Sequence, residues 1–203
     1  MSILRPLHLT PADIKLGQTG FYLEGVHYPF DNVESLRYYN AQVERALPFP
    51  AEAEEEEIKL DIYLLGFERP ISVETESILG LIKMFWAGGP VLRLAGLYQE
   101  IARHTYPFRR HRYFEEFEKQ GYIYYGGKQI FKTGIVSDGG DRTIDLFTDR
   151  PLVKSEFSLS YRAPTPGGGI KGWLSRQRKF VINTEVDSDV FFSILEQYFH
   201  LRW

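Results

Sequence analysis

The chain contains no cysteine in its 203 residues, so disulfide bonds, thiolate chemistry and cysteine-ligated metal sites are excluded. It also has little net charge, −3 at pH 7, which gives no overall electrostatic reason to expect nucleic acid as a partner. Long apolar runs are missing too. The most hydrophobic window, residues 78–98, carries Lys83 and Arg93 and contains Gly88-Gly89-Pro90. We therefore expect a buried or amphipathic helix there instead of a membrane span.

Residue patterns typical of catalysis or of metal binding are also missing. The five histidines include none in an H-E-x-x-H arrangement, and no G-x-S-x-G nucleophile turn occurs. We therefore expect no cofactor and no metal, and do not expect an enzyme. The first residues form no apolar run of the length that a signal peptide needs. A cytoplasmic location is the default expectation, at the membrane surface if the chain is membrane-peripheral.

Aromatic residues are abundant, at 15% of the chain, which favours a fold rich in β-strands. Several of them lie in an eleven-residue pattern that occurs twice in the sequence. GFYLEGVHYPF occupies residues 20–30, and GYIYYGGKQIF occupies residues 121–131. Aligned without a gap, the two share their first and sixth glycines and their last phenylalanine, so Phe30 is paired with Phe131. Glycines between aromatic runs predict two related strand–turn–strand units.

Between the two units, apolar residues recur at helical spacing from Glu74 to Lys119. Gly88-Gly89-Pro90 and Pro107 predict breaks that divide this block into three helices. The glutamate-rich segment AEAEEEE, residues 51–57, is interpreted as a solvated loop or a frayed helix. Near the carboxyl end, an apolar stripe predicts an amphipathic helix that docks on another element, capped by Asp187 or Ser188. The stripe comprises Val190, Phe191, Ile194, Leu195, Tyr198 and Phe199.

The second unit, GYIYYGGKQIF, resembles the strand pair of pleckstrin-homology-like (PH-like) domains of bacterial proteins. The ending FVINTEVDSDVFFSILEQYF, residues 180–199, is similar to the last strand and closing helix of such domains. The resemblance covers residues 121–203 and, more loosely, 20–74. It implies an α+β fold in which an antiparallel curled sheet, or partly open barrel, is closed by a C-terminal helix. Such domains usually bind a partner and do not catalyse a reaction.

Two arrangements of the repeated units are open. In the first, both units join one sheet system, and a helical insertion packs on its open face. In the second, residues 121–203 form a small domain and residues 20–74 a degenerate companion. We favour the first, because residues 20–74 supply too few strands to bury both of their faces. The expected segments are 1–74, 75–120 and 121–203, within one compact domain.

Two basic stretches are candidate binding surfaces. The first is free of acidic residues and could hold an anionic lipid headgroup or an acidic peptide. Its candidate residues are Arg162, Lys171, Trp173, Arg176, Arg178 and Lys179. The second interleaves basic and aromatic residues, a pattern that also suits single-stranded nucleic acid, and comprises Arg103, Arg109, Arg110 and Arg112. Either stretch could instead be a solvated face paired with acids.

The favoured function is a non-catalytic binding or scaffold module that acts through protein–protein contacts or self-association. The alternative is a peripheral membrane protein that binds anionic lipid through the first basic stretch. A second alternative is a hydrolase or transferase with a carboxylate site that no motif reveals. Nucleic acid is not the expected partner.

Overall fold

A computed structural model describes residues 9–44, 54–74, 88–139, 143–147, 152–154, 158–161 and 180–201. The chain forms two compact units, which we name unit 1 (Met1–Arg109) and unit 2 (Arg110–Trp203). The division falls inside a single helix, α1 (Gly88–Gln120), so each unit contains part of it. The predicted segments 1–74, 75–120 and 121–203 partition the chain differently and stay a prediction.

Unit 1 begins with two small antiparallel sheets. The first has the order β1-β2-β3 and is formed by β1 (Ile14–Leu16), β2 (Gly20–Leu23) and β3 (Val26–Pro29). The second has the order β4-β5-β6 and is formed by β4 (Val33–Glu44), β5 (Glu54–Leu64) and β6 (Ile71–Glu74). The glutamates at 54–57 therefore lie in a strand, and the predicted loop or frayed helix is wrong. Pairing with β4, a non-local contact, places them there.

The core of unit 1 combines the inward faces of both sheets with the first half of α1. Side chains alternate along the strands, so that Leu60, Ile62 and Leu64 of β5 point inward together. Ring stacking joins the helix to the strands, with centroids 4.8 Å apart for Tyr38 and Tyr98. The buried cluster comprises Ile14, Phe21, Phe30, Val33, Leu36, Leu60, Ile62, Leu64, Val73, Leu94, Leu97, Ile101 and Ala102.

Helix α1 continues through Pro107, so the predicted break at this residue is wrong. A proline inside a helix removes one hydrogen bond and costs about 3 kcal/mol or more. Apolar burial on both sides of Pro107 offsets that cost, because Leu94 and Ile101 are buried in unit 1 and Phe117 is buried in unit 2. The predicted break at Gly88-Gly89-Pro90 coincides with the start of α1. The helix predicted before it falls on residues 75–87, outside the described residues.

Unit 2 has two antiparallel sheets and a closing helix. The first sheet, in the order β10-β9-β8-β7, contains β7 (Tyr122–Tyr125), β8 (Lys128–Phe131), β9 (Ile135–Ser137) and β10 (Thr143–Asp145). The second, in the order β11-β12-β13, contains β11 (Leu152–Lys154), β12 (Ser158–Tyr161) and β13 (Phe180–Asn183). Helix α2 spans Ser188–Phe199.

The predicted docking of the C-terminal amphipathic helix is confirmed. Its buried residues are Val190, Phe191, Ile194, Leu195 and Phe199. Phe191 stacks on Tyr125 of β7, with ring centroids 3.8 Å apart, and the Tyr125 hydroxyl donates to the Val186 carbonyl. Asp187 occupies the N-cap position, as predicted, but in a left-handed conformation and without a side-chain capping bond.

The predicted α+β class, with antiparallel sheets and a C-terminal helix, is therefore confirmed. Within the described residues, none of the sheets closes into a barrel.

Candidate functional site

Both units contain the same kind of hairpin. In unit 1 the strands β2 and β3 are joined by Glu24 and Gly25, with φ of 50° and 81°. In unit 2 the strands β7 and β8 are joined by Gly126 and Gly127, with φ of 55° and 72°. Positive φ at both central residues defines the type I′ turn, whose twist matches that of the flanking strands. Glu24 adopts this conformation without being glycine.

The structures of the two hairpins match each other, but with a shift of one residue from the ungapped alignment of their sequences. Phe30 begins a 3₁₀ turn after β3, whereas Phe131 is the last residue of β8, so their predicted equivalence is wrong. The hydrogen bonds give the true correspondence. The Phe30 N–H donates to the Thr19 carbonyl at 3.0 Å, and the Lys132 N–H donates to the Gly121 carbonyl at 2.9 Å. Phe30 therefore corresponds to Lys132.

This correspondence extends beyond the hairpins into the next strands. Each hairpin is followed by a three-residue turn and a further strand, which begins at Val33 in unit 1 and at Ile135 in unit 2. The Leu65 N–H donates to the Asn32 carbonyl at 2.9 Å, and the Leu146 N–H donates to the Gly134 carbonyl at 2.8 Å. The repeat is thus a hairpin, a turn and the following strand pair.

Equivalent positions on the two hairpins share their burial. Phe21 in unit 1 and Ile123 in unit 2 are fully buried. Their neighbours along the strand, Tyr22 and Tyr124, lie on the opposite face and are 41% and 66% exposed. Each unit therefore presents one tyrosine ring at the same place on the outer face of its hairpin.

In unit 1 the outer face forms a cross-strand row of Lys15, Tyr22 and His27. The rings of Tyr22 and His27 lie 4.8 Å apart, and the Thr19 Oγ1 is 3.5 Å from His27 Nε2. Gly20 is required beneath this row, since a Cβ there would lie 2.2 Å from the Tyr28 carbonyl oxygen and 2.6 Å from His27 Nε2. The face is amphipathic, with two rings beside one lysine.

In unit 2 the outer face is mainly aromatic. Tyr122 meets Tyr124 edge-on at 5.5 Å and Phe131 at 5.8 Å between ring centroids. Gln129 lies directly across from Tyr124 on β8. Tyrosine and phenylalanine on an open strand face provide apolar contact area, together with a hydroxyl that can hydrogen-bond to a partner.

The arginine stretch predicted as a secondary basic patch includes one residue that does not lie on the surface. Arg109 is fully buried, and its Nε donates to Thr105 Oγ1 at 2.9 Å while its Nη2 donates to the Ala102 carbonyl at 3.1 Å. Arg103 is exposed and pairs with Glu100 at 2.5 Å. The candidate patch therefore contains at most Arg103 in unit 1 and the two remaining arginines in unit 2.

In unit 2, Arg110 and Arg112 are half-buried. Arg110 Nη2 donates to Gln197 Oε1 at 2.6 Å, and its guanidinium lies 4.1 Å from the centre of the Phe114 ring. These contacts tie α1 to α2 within the unit. The first basic stretch cannot be placed, because Arg162, Lys171, Trp173, Arg176, Arg178 and Lys179 lie outside the described residues.

A second polar contact between α1 and α2 is centred on Glu118. Its carboxylate accepts hydrogen bonds from Lys132 Nζ, at 2.6 Å, and from the Tyr198 hydroxyl. These bonds, that from Lys132 first, lower the pKa of Glu118. Burial, and then the bond to Glu118, raise the pKa of Tyr198 to about 12. The network is structural, since it joins α1, the end of β8 and α2.

Within the described ranges, no three histidine, aspartate or glutamate side chains converge as a metal site. No helix in the described part of the chain is both long enough and apolar enough to cross a bilayer. Comparisons with protein-family models, with curated proteins and with solved structures find no match to this chain.

Proposed function

We propose that the chain is a non-catalytic protein-binding module that contacts its partners through the outer faces of its two hairpins. The observation that carries this proposal is the pair of exposed tyrosines, Tyr22 and Tyr124, at equivalent positions of equivalent hairpins. Aromatic residues are enriched where proteins contact one another, because a large rigid ring buries much area at little conformational cost.

The repeat strengthens the proposal, because a chain with two equivalent surfaces can engage a partner twice. Linking two weak sites raises the overall affinity by making the second binding event intramolecular. The surroundings of the two tyrosines differ, with Lys15 and His27 in unit 1 and Gln129 and Phe131 in unit 2. The two faces therefore suit related but non-identical segments of a partner. A PH-like identity of the units is part of the same proposal.

Photo-crosslinking tests this function. A benzophenone amino acid replaces Tyr22 or Tyr124 in turn, and Leu92, which is 70% exposed on α1, serves as the matched control. We expect crosslinks from both hairpin positions, to one partner protein or to a second copy of the chain, and none from position 92. A chain that stays monomeric and gives equal crosslinking at all three positions would contradict the proposal.

A further inference from the structure

The outer edge of β7 is defined by how backbone groups alternate along the two hairpins. The carbonyls of Thr19 and Gly121 point across their hairpins, toward the N–H groups of Phe30 and Lys132. Successive residues of an antiparallel strand direct their N–H and C=O groups to opposite sides. The backbone N–H and C=O groups of Tyr22 and Tyr124 therefore point away from the partner strands β3 and β8, toward the outer edges of β2 and β7.

In unit 1 this outer edge is occupied by β1. Lys15 lies opposite Tyr22, and the Gly17 N–H donates to the Gly20 carbonyl at 2.8 Å. The added strand has the sequence Ile14-Lys15-Leu16, in which Ile14 is buried and Lys15 lies on the outer face beside Tyr22. A strand of three residues with an apolar–polar–apolar pattern is thus sufficient to cover the edge.

In unit 2 the chain supplies no such strand from the corresponding position. The residues at the same distance before β7, Glu116–Glu118, lie in helix α1. The helix ends at Gln120, and the residue after it, Gly121, has a φ of 76° and donates its N–H to the Phe117 carbonyl. Among the described residues, no strand pairs with the outer side of β7, and no hydrogen-bond partner faces the outward groups of Tyr122 and Tyr124.

We propose that the edge of β7 binds an extended segment of a partner protein, which pairs antiparallel with Tyr122–Tyr124 as β1 pairs with β2. Unpaired strand edges are templates for such addition, in which main-chain bonds give affinity and alternate side chains give specificity. The strand β1 defines the chemistry of the segment. In β1 the central lysine lies opposite Tyr22 on the outer face, and of its two apolar neighbours Ile14 is buried whereas Leu16 is 40% exposed. The segment should therefore place a polar residue beside Tyr124 and an apolar residue at the position of Ile14, toward the buried face. This inference rests on the proposed function and names the kind of partner.

A synthetic peptide of residues 11–18, PADIKLGQ, is the probe, and the isotopically labelled full chain is titrated with it by NMR. We expect saturable shifts of the Tyr122 and Tyr124 amide signals, together with slower exchange of those amides with water. Methylating the backbone nitrogen of the lysine in the peptide should weaken binding about fivefold or more, because one main-chain hydrogen bond is lost.

Two variants of the chain separate the strand edge from the aromatic face. Tyr124→Pro removes the outward N–H, which the β7–β8 ladder does not use, and should abolish binding of the peptide. Tyr124→Ala keeps that N–H and should retain most of the binding. If the proline variant fails to fold, the methylated peptide still tests the edge on the unchanged chain.

Three results would overturn the inference. These are no shift at Tyr122 and Tyr124, equal binding of the methylated peptide, and amides that are already protected in the free chain. The last would mean that a second copy or another segment of the chain covers the edge. Crosslinking from positions 22 and 124 without peptide binding would support the proposed function and refute only the binding of a strand at the edge of β7.

Discussion

Gly126→Ala and Gly127→Ala form a matched pair of substitutions in one turn. Both residues have positive φ, 55° and 72°, so a side chain at either position is strained by about 1 kcal/mol. Only position 126 is also crowded, because a Cβ there would lie 2.2 Å from the Asn183 carbonyl oxygen and 2.8 Å from the Asn183 nitrogen. Nothing lies within 4 Å of a Cβ at position 127.

The crowding at position 126 involves backbone atoms of β13, which cannot rotate away as a side chain can. Relieving it must move a strand, at a cost of about 1–3 kcal/mol, as overpacked sites generally show. We therefore expect the free energy of unfolding of unit 2 to fall by about 2–4 kcal/mol in Gly126→Ala and by about 1 kcal/mol in Gly127→Ala.

Hydrogen exchange at Ile182 and Ile123 measures this loss in unit 2 alone, and exchange at Leu36 in unit 1 is the internal reference. Thermal unfolding gives a second readout, with a shift of about 2–4 °C for each kcal/mol in a chain of this size. Equal destabilisation by the two substitutions would refute the close approach of the turn to Asn183. It would also weaken the placement of β13 beside the hairpin.

Four further predictions concern the turn, the polar network and the basic stretch. Glu24→Asn should stabilise unit 1 by about 0.5–1 kcal/mol in denaturant unfolding, because asparagine tolerates the left-handed conformation; no gain would mean that Glu24 is not strained. Glu118 has a lowered pKa, so its contribution to stability is present at pH values above the ordinary pKa of glutamate and is lost as the pH falls. Glu118→Gln should therefore flatten the fall in the free energy of unfolding at acid pH, which unfolding measured across pH would show. Tyr198, with its pKa raised to about 12, stabilises below its ordinary pKa of 10 and loses this effect as the pH rises, so Tyr198→Phe should remove an alkaline loss of stability and one late step in tyrosinate absorbance. The membrane alternative predicts flotation with anionic vesicles that weakens as salt is added and is abolished by the double substitution Arg176→Glu and Arg178→Glu. Equal flotation with neutral and anionic vesicles would exclude an electrostatic contact.

Local chemistry was enough to predict the hairpins, the docked C-terminal stripe and the α+β class. Glycines between aromatic runs supply the positive φ that tight turns need, and an apolar stripe at helical spacing must be buried somewhere. The register of the repeat was missed for an equally local reason. Glu24 occupies a turn position that usually selects glycine or asparagine, so the alignment paired Gly25 with Gly126 instead of Gly127.

Other features depended on contacts between distant residues, which no local pattern reveals. The glutamates at 54–57 form a strand because β4 pairs with them, and helix α1 continues past Pro107 because both of its halves are buried. Arg109 belongs to a basic stretch in the sequence, yet its side chain is fully buried and hydrogen-bonds to Thr105 and to the Ala102 carbonyl. The exposed tyrosines were visible as aromatics, but which ring faces outward required the register.

The sharing of α1 has a consequence for anyone who divides this protein. A fragment that starts at Arg110 begins in mid-helix, with its first four N–H groups deprived of their acceptors and with no capping residue before them. A fragment that stops at Arg109 ends in a helical turn that contains Pro107. This turn would fray at the place where Arg109 hydrogen-bonds to Thr105. Independent expression of either half should therefore keep the whole of residues 88–120, or supply a new cap in its place.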